Sequence, residues 1–497
     1  MTIGFEPVIG LEIHAELETE SKMFCACPVV DAALAEPNMA VCPVCSGMPG
    51  VLPVVNRRAV EYALRVALAL KSEVNTTSIF ARKNYFYPDL PKGYQISQYE
   101  QPLARHGELT ILTSQGEKVI RIRRVHLEED TGKLTHVNKN GQTYSLVDLN
   151  RAGVPLLEIV SEPDLHSAED VRAYATGLRS ILRYLGVNSG DMQKGVIRIE
   201  PNVSVKPLGE ERLGTRVEIK NLNSFRALER SVDYEIHRQS ELLRAGKAIV
   251  QETVGWDEQK EVTFTQRVKE GEEDYRYFPE PDLPPLVIDR EWIERVRSSL
   301  PELPVEKFHR FRKQYDLNEY DANVLVAEQA VADYFEATVA AAVDLTGEDP
   351  AAGELAPKTI SNWITGELFS LLNQAGTSIE ESRLTPESLA TLLVMVSNGE
   401  INQNTAKNVL AEMFTTGKPA EAIVDARGLR QISNAEAIRE LVAQVLEENP
   451  RQVAEYLDGK NAIAQWLFGQ VMRAARGKAN PQVVEQELKR KLQQKKS

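Results

Sequence analysis

The sequence predicts an α+β fold: a large mixed α/β domain, then an all-α helical domain and a small all-α tail domain. Three observations predict it. Short β-rich runs and helical stripes are interleaved to about residue 290, without the regular βαβ alternation of a parallel sheet. A proline-rich segment follows, with Phe278, Pro279, Pro281, Pro284 and Pro285 leading into Leu286–Asp289. Beyond it the apolar residues recur at helical spacing. The chain has 497 residues, too many for one ordinary core, so several domains are expected. We place them at 1–292, 293–420 and 421–497.

Val8–Leu17, Lys118–His126 and Arg216–Lys220 are short, rich in β-branched residues and partly alternating, which predicts strands. Val60, Leu64 and Leu68 recur at helical spacing after Asn56, and a second helix is expected over Ala168–Leu185 with Gly186 as its stop. The prolines near 280 remove backbone donors and fix φ, marking an exit from the first domain. Further on, Ile360, Trp363, Ile364, Leu368 and Leu371 form an apolar stripe. Thr385 and Pro386 open a helix carrying Leu389, Leu392, Leu393 and Val396, which Gly399 ends. Ser433 and Glu436 form a capping box ahead of Ile438, Leu441, Val442, Val445 and Leu446.

Hydrophobic residues make up 42% and charged residues 26%, which excludes a disordered chain. The net charge is −14, so any nucleic-acid surface must be a local patch. No stretch approaches the roughly 20 apolar residues of a spanning helix. Met1–Glu20 has neither a basic start nor an apolar run, so a cytosolic chain with no membrane association is expected.

All four cysteines fall in one segment, as Cys25-x-Cys27 and Cys42-x-x-Cys45. Two short-spaced pairs can bring four thiolates around one tetrahedral zinc, closed and structural; the bland alternative is four reduced thiols in a reducing compartment. Glu12 and His14 lie two apart in an expected strand and so share a face. His126, Glu128 and Asp130 repeat that spacing, with Glu129 between them. Carboxylates beside imidazoles suit a Mg²⁺–phosphate site, although alternating charge on a strand is more often a solvated face. Lys83, Arg151 and Lys220 are candidate phosphate partners. Gly132-Lys133 lacks the flanking residues of a Walker-type loop.

Two aromatic clusters, Asn84–Asp89 and Asp274–Phe278, could stack a base or ribose, or close a core edge. From Arg473 to Ser497 eight basic residues face only Glu485 and Glu487, a local balance of +6. Arg473, Arg476 and Lys478 flank a small-residue loop that could approach a nucleic-acid backbone. The alternative is a solubilising tail.

Several of these segments together resemble the B subunit of the aspartyl/glutamyl-tRNA amidotransferase family. They are Val8–His14, Arg82–Asp89, His126–Lys133, Val147–Asp164, Glu218–Phe225 and Asp274–Asp282. They occur in order and the likeness runs to the tail. The resemblance implies a cradle-shaped kinase and amidation domain, a helical domain, and a tail domain that touches tRNA. It implies a ligase that forms a carbon–nitrogen bond with glutamine as the amido donor. In the reaction the resemblance implies, ATP phosphorylates the side-chain carboxylate of Glu-tRNA(Gln) or Asp-tRNA(Asn), and ammonia displaces the phosphate. The implied partners are an amidase A subunit, a small C subunit and misacylated tRNA, not DNA; the implied cofactors are ATP, Mg²⁺ and a structural Zn²⁺.

By match to the family motifs, Glu12, His14 and Glu129 form the metal-holding set, with Lys83 on the phosphate side. Strand alternation prefers Glu128, so both glutamates are candidates. Arg151, Lys220 and Glu200 are candidates for the nucleotide site. Glu200 stands in Arg198–Asn202, where the family often carries an aspartate. With all four cysteines assigned to metal and no Gly/Ser-rich amidase run, the chain lacks its own ammonia-generating nucleophile. Glu158 and Lys220 are candidates to line an ammonia route, or ordinary buried ion pairs. A zinc-stabilised tRNA-binding subunit without catalysis is the competing reading.

Overall fold

Alternation of apolar and polar residues makes β1 (Phe5–Glu16) the centre of the fold. Its Ile9, Leu11, Ile13 and Ala15 point into the core, while Glu12, His14 and Glu16 point to the opposite face. The structure, a computed structural model, describes residues 4–31, 34–268, 275–347, 355–431, 435–475 and 479–496. It divides into two compact units, Met1–Val305 and Glu306–Ser497.

In the first unit β1 joins β2 (Glu73–Val74), β3 (Ala104–Thr113), β4 (Gly116–Glu129), β5 (Pro155–Ser161), β6 (Ile197–Pro207), β7 (Val217–Lys220), β8 (Glu252–Asp257) and β9 (Val262–Val268). The sheet order is β9-β8-β7-β6-β1-β5-β4-β3-β2. It is antiparallel except between β7 and β8. Helices α1 (Arg57–Ala69), α2 (Ala168–Tyr184) and α3 (Phe225–Arg244) pack on it through one hydrophobic cluster. There Leu11 and Ile13 join Leu64 of α1, Leu178 of α2 and Leu228 of α3. The expected starts hold: the Asn56 side chain accepts from the amides of Arg58 and Ala59, and Ser167 caps α2. Gly186, at φ 62°, follows α2 as its stop.

A small sheet of Ala81–Asn84, Tyr94–Ser97 and Phe278–Pro279 carries Lys83. The proline-rich segment returns to the unit it was expected to leave. Phe278–Pro279 pairs with Ala81–Arg82, and Leu286–Val287 pairs with Thr77–Ser78. Both are edge pairings, where a missing N–H is tolerated. Glu280 locks the segment by taking two hydrogen bonds from Arg82, each 2.7 Å. Lys133–Lys139 and Gln142–Asp148 form a separate hairpin.

The second unit is helical. Thr385 caps Pro386–Ser397 as expected. The stripe from Ile360 is interrupted by a π-helical turn, Trp363–Leu368, between Pro357–Asn362 and Phe369–Ala375. A π turn takes in one extra residue, so the buried position moves from the expected Leu371 to Leu372. Near the end Ile438, Val442, Val445 and Leu446 join Leu467, Val471 and Leu488 in a hydrophobic cluster of their own. Glu436 lies in that first helix, whereas Ser433 is outside the described residues. No helix among the described residues is long and apolar enough to cross a membrane.

Candidate functional site

Register brings the polar residues of four strands into line. His14 on β1 stands opposite Glu158 on β5 and Arg198 on β6, and Glu158 stands opposite His126 on β4. The next row sets Glu12 between Glu200 and Val160, with Arg124 beyond. Directly opposed side chains approach closely enough to interact, and they do. Glu158 lies 3.2 Å from His126 Nε2, 3.4 Å from His14 Nε2 and 3.4 Å from Arg124 Nη2. Glu128 lies 3.7 Å from His14 Nε2 and accepts from Ser97 Oγ at 3.1 Å.

The electrostatics follow from these contacts. Burial alone would push the His14 imidazole down, but its hydrogen bond to Glu158 and the carboxylates of Glu158, Glu200 and Glu128 outweigh that and hold it at about 9. Burial likewise opposes the charge on Glu158, yet His126 and His14 keep its carboxyl well below the usual range. Lys83 is half-buried, and the carboxylates of Glu128 and Glu158 more than offset the desolvation, raising its ammonium. Its Nζ sits 5.1 Å above the Tyr275 ring. Glu12 is pushed up, first by burial and then by Glu158, Glu218 and Glu200. Such a surplus of carboxylates is relieved by a cation. Ligand atoms of His14, Glu128 and Glu158 lie within 4.8 Å of one another, as do those of Glu12, Glu200 and Glu218. Lys220 bridges the second set, 2.9 Å from Glu200 and 3.3 Å from Glu218.

Of the sequence-derived candidates, Glu12, His14, Lys83, Glu128, Glu200 and Lys220 come together around this face. Glu129 does not. Successive residues of a strand point to opposite faces, so Glu129 turns away, accepts from the Ile96 amide at 2.9 Å and pairs with Lys92. It borders a cavity of about 30 Å³ shared with Cys25, Cys45 and Lys92. Arg151 is spent on a turn, donating to the carbonyls of Thr131 at 3.0 Å and Gly132 at 2.7 Å. Glu158 enters this face as a ligand candidate rather than as part of an ammonia route, and Glu218 and Arg124 join it unexpectedly. A single charged residue inside the apolar run Pro155–Ser161 was the available signal, since a charge buried in a central strand needs partners.

The four cysteines converge. Cys45 Sγ lies 4.0 Å from Cys27 Sγ and 3.9 Å from Cys42 Sγ, and all four sulfurs fall within 4.8 Å. Tetrahedral Zn–S bonds of about 2.3 Å place sulfurs about 3.8 Å apart, so the residues fit zinc. The hydrogen bond from Cys25 pulls the Cys45 thiol down to about 4 against the opposing effect of burial, with the Cys42 amide and the Lys22 ammonium adding to it.

Among the aromatics, Tyr99 and Tyr277 stack at 4.2 Å and 6°, whereas Phe86 is 85% exposed. Asp274 lies outside the described residues. Arg473 is exposed in the last turn of Ile463–Ala474, while Arg476 and Lys478 lie outside the described residues.

An open sheet face bearing carboxylates, imidazoles and a half-buried lysine defines a site suited to a divalent cation and an anionic ligand. Comparison gives it a family. Residues 7–294 match the GatB/GatE catalytic domain, and residues 333–492 match the GatB domain. The chain is 50% identical to the B subunit of the aspartyl/glutamyl-tRNA(Asn/Gln) amidotransferase of Persephonella marina over 480 residues, covering 97% of this chain and 98% of that one. It is also 50% identical to the corresponding B subunits of Thermoanaerobacter pseudethanolicus (98% and 99% covered) and Myxococcus xanthus (98% and 98% covered). The chain belongs to the family of amidotransferase B subunits.

Proposed function

We propose that this chain is the ATP-using subunit that amidates glutamate or aspartate esterified to tRNA. The observation that carries the reading is the convergence of His14, Glu128, Glu158 and Lys83 on one open face, within the segment that matches the catalytic domain. A side-chain carboxylate is a poor acyl donor, so activation must precede amide formation. A carboxylate oxygen attacks the γ-phosphorus of ATP and ADP leaves, giving an acyl phosphate. Ammonia then attacks the carbonyl carbon, the C–O bond to phosphate breaks, and phosphate leaves with its electron pair as the nitrogen loses a proton. Stabilising the charge that develops on phosphate is the main demand on the protein.

His14, Glu128 and Glu158 are the residues that would hold Mg²⁺, which supplies charge neutralisation to the triphosphate when bound. Lys83 directs its ammonium to the transferring phosphoryl group, and the carboxylates around it keep it charged. Glu12, Glu200 and Lys220 form the neighbouring wall. Cys25, Cys27, Cys42 and Cys45 would hold a structural zinc. The B-subunit designation of the relatives supports partners, and we assign ammonia supply to an amidase partner, with a small third chain bridging the two. A cradle domain at 1–292, a helical domain at 293–420 and a tRNA-contacting tail at 421–497 complete the reading.

The test is ADP release by the assembled complex supplied with ammonium, comparing Glu-tRNA(Gln), Asp-tRNA(Asn) and uncharged tRNA, with Glu128→Gln as control. Release that requires a misacylated tRNA and is lost in the variant is expected. Absence of tRNA-dependent release from a folded complex would leave a tRNA-binding protein without catalysis.

A further inference from the structure

Lys22 is fully buried, and its ammonium is spent on three acceptors. Nζ donates to the Ala40 carbonyl at 2.7 Å, to the Leu149 carbonyl at 3.2 Å and to Cys45 Sγ at 3.6 Å. An ammonium has three donors and no acceptor, so each is used once. A charge held so far from water needs a compensating one. Four thiolates around a zinc dication would supply it, because such a site is net negative.

Leu149 begins a loop whose other contacts reach the polar face. Arg151 holds Thr131 and Gly132, and the Gly153 amide donates to the Asp130 carbonyl at 2.9 Å. Gly153 has φ +86°, and a methyl there would lie 3.4 Å from Cys45 Cβ, 3.6 Å from Lys22 Cδ and 3.9 Å from Glu129 Oε2. The lysine stem therefore packs where the cysteine loop, the 149–153 loop and the end of β4 meet. The Asp130 carboxylate then accepts from Arg198 Nη2 at 2.8 Å, and Arg198 is the cross-strand neighbour of His14.

We propose that Lys22 is a positioning residue that couples zinc in the four-cysteine site to the 149–153 loop and, through Asp130 and Arg198, to the row containing His14. Its effect on catalysis rests on the reading of that row as the active face; its effect on the metal does not. In this scheme zinc does more than close a loop. It keeps the four cysteines as thiolates, whose net negative charge lets Lys22 stay buried, and Lys22 in turn fixes the loop carrying Arg151.

The experiment uses the zinc-loaded complex and Lys22→Met, which keeps the stem and removes the charge. Zinc release to a chelating dye is expected to be about 10- to 100-fold faster, the range for loss of a group that supports metal ligands. The kcat for tRNA-dependent ADP release should fall with KM for tRNA unchanged. If the variant does not fold, the wild-type complex stripped of zinc carries the test by amide hydrogen exchange. Exchange should then rise at residues 149–154 and 130–132 and stay unchanged in α3. Wild-type zinc retention by Lys22→Met, or unchanged exchange at 149–154 after stripping, would overturn the proposal. The expected zinc and exchange changes in a complex that releases no ADP would support Lys22 and count against the proposed reaction alone.

Discussion

Glu158→Gln is the sharpest perturbation of the polar face, because it keeps shape and removes one charge. The carboxylate lies between two imidazoles and a guanidinium, all within 3.4 Å. An ordinary imidazole titrates near 6.5 and His14 near 9, a difference worth about 3 kcal/mol. A hydrogen bond to a charged group contributes about 1.5–3 kcal/mol, so losing the one to Glu158 should lower His14 by about one to two pH units. Glu200 and Glu128 remain and keep it from falling further. The sign follows. A raised imidazole adds stability that is fully present below 6.5 and is lost as pH rises through 9. The depressed Glu158 carboxylate adds stability only above its ordinary value of 4.5, so the variant's deficit is greatest between about pH 4.5 and 6.5 and shrinks toward pH 9. Carbon-13 histidine NMR on the metal-free chain, which has seven histidines, reads the titration directly. A His14 signal that still titrates near 9 in the variant would refute the reasoning.

Four other outcomes follow from the same contacts. Glu128→Gln should lower ammonium-supported ADP release by about 100- to 1000-fold, the loss typical of a group that stabilises developing charge; a rate within threefold of wild type would contradict its place in the site. Glu129→Gln should act on stability instead, because removing one member of the buried pair with Lys92 costs about 3–5 kcal/mol; thermal melting should show it, with Mg²⁺ dependence unchanged. Arg82→Met breaks the bidentate contact to the fully buried Glu280 side chain and should cost a similar 3–5 kcal/mol, seen as faster proteolysis of the chain around residues 278–289. Leu467→Ala empties a fully buried position in the last helical cluster and should cost about 2–5 kcal/mol, read by hydrogen exchange of Ala435–Glu448.

Local signals were legible where one physical rule dominates. Asn56 and Thr385 announce helix starts because a side-chain oxygen satisfies an otherwise unpaired amide. The alternation of β1 and β4 placed Glu12 with His14, and His126 with Glu128. That alternation also separates Glu129 from them, in tension with the motif-based choice. Long-range register was not legible. Nothing local shows that Glu158 lies across from His14, some 144 positions away, or that Glu218 joins Glu12 and Glu200. The π turn at Trp363–Leu368 was invisible for a similar reason, since its apolar spacing is that of an ordinary helix until one residue slips. Nor does composition show that the prolines near 280 return to pair with Thr77–Arg82.

The central claim is that the side-chain carboxylate is phosphorylated before ammonia arrives. The most direct measurement supplies the complex with ATP, ammonium and Glu-tRNA(Gln) or Asp-tRNA(Asn) carrying ¹⁸O in the side-chain carboxylate, and reads the released inorganic phosphate by mass spectrometry. The account predicts one ¹⁸O in each phosphate released with amide, because that oxygen becomes the bridge of the acyl phosphate and departs with it. Unlabelled phosphate accompanying full amide formation would contradict it.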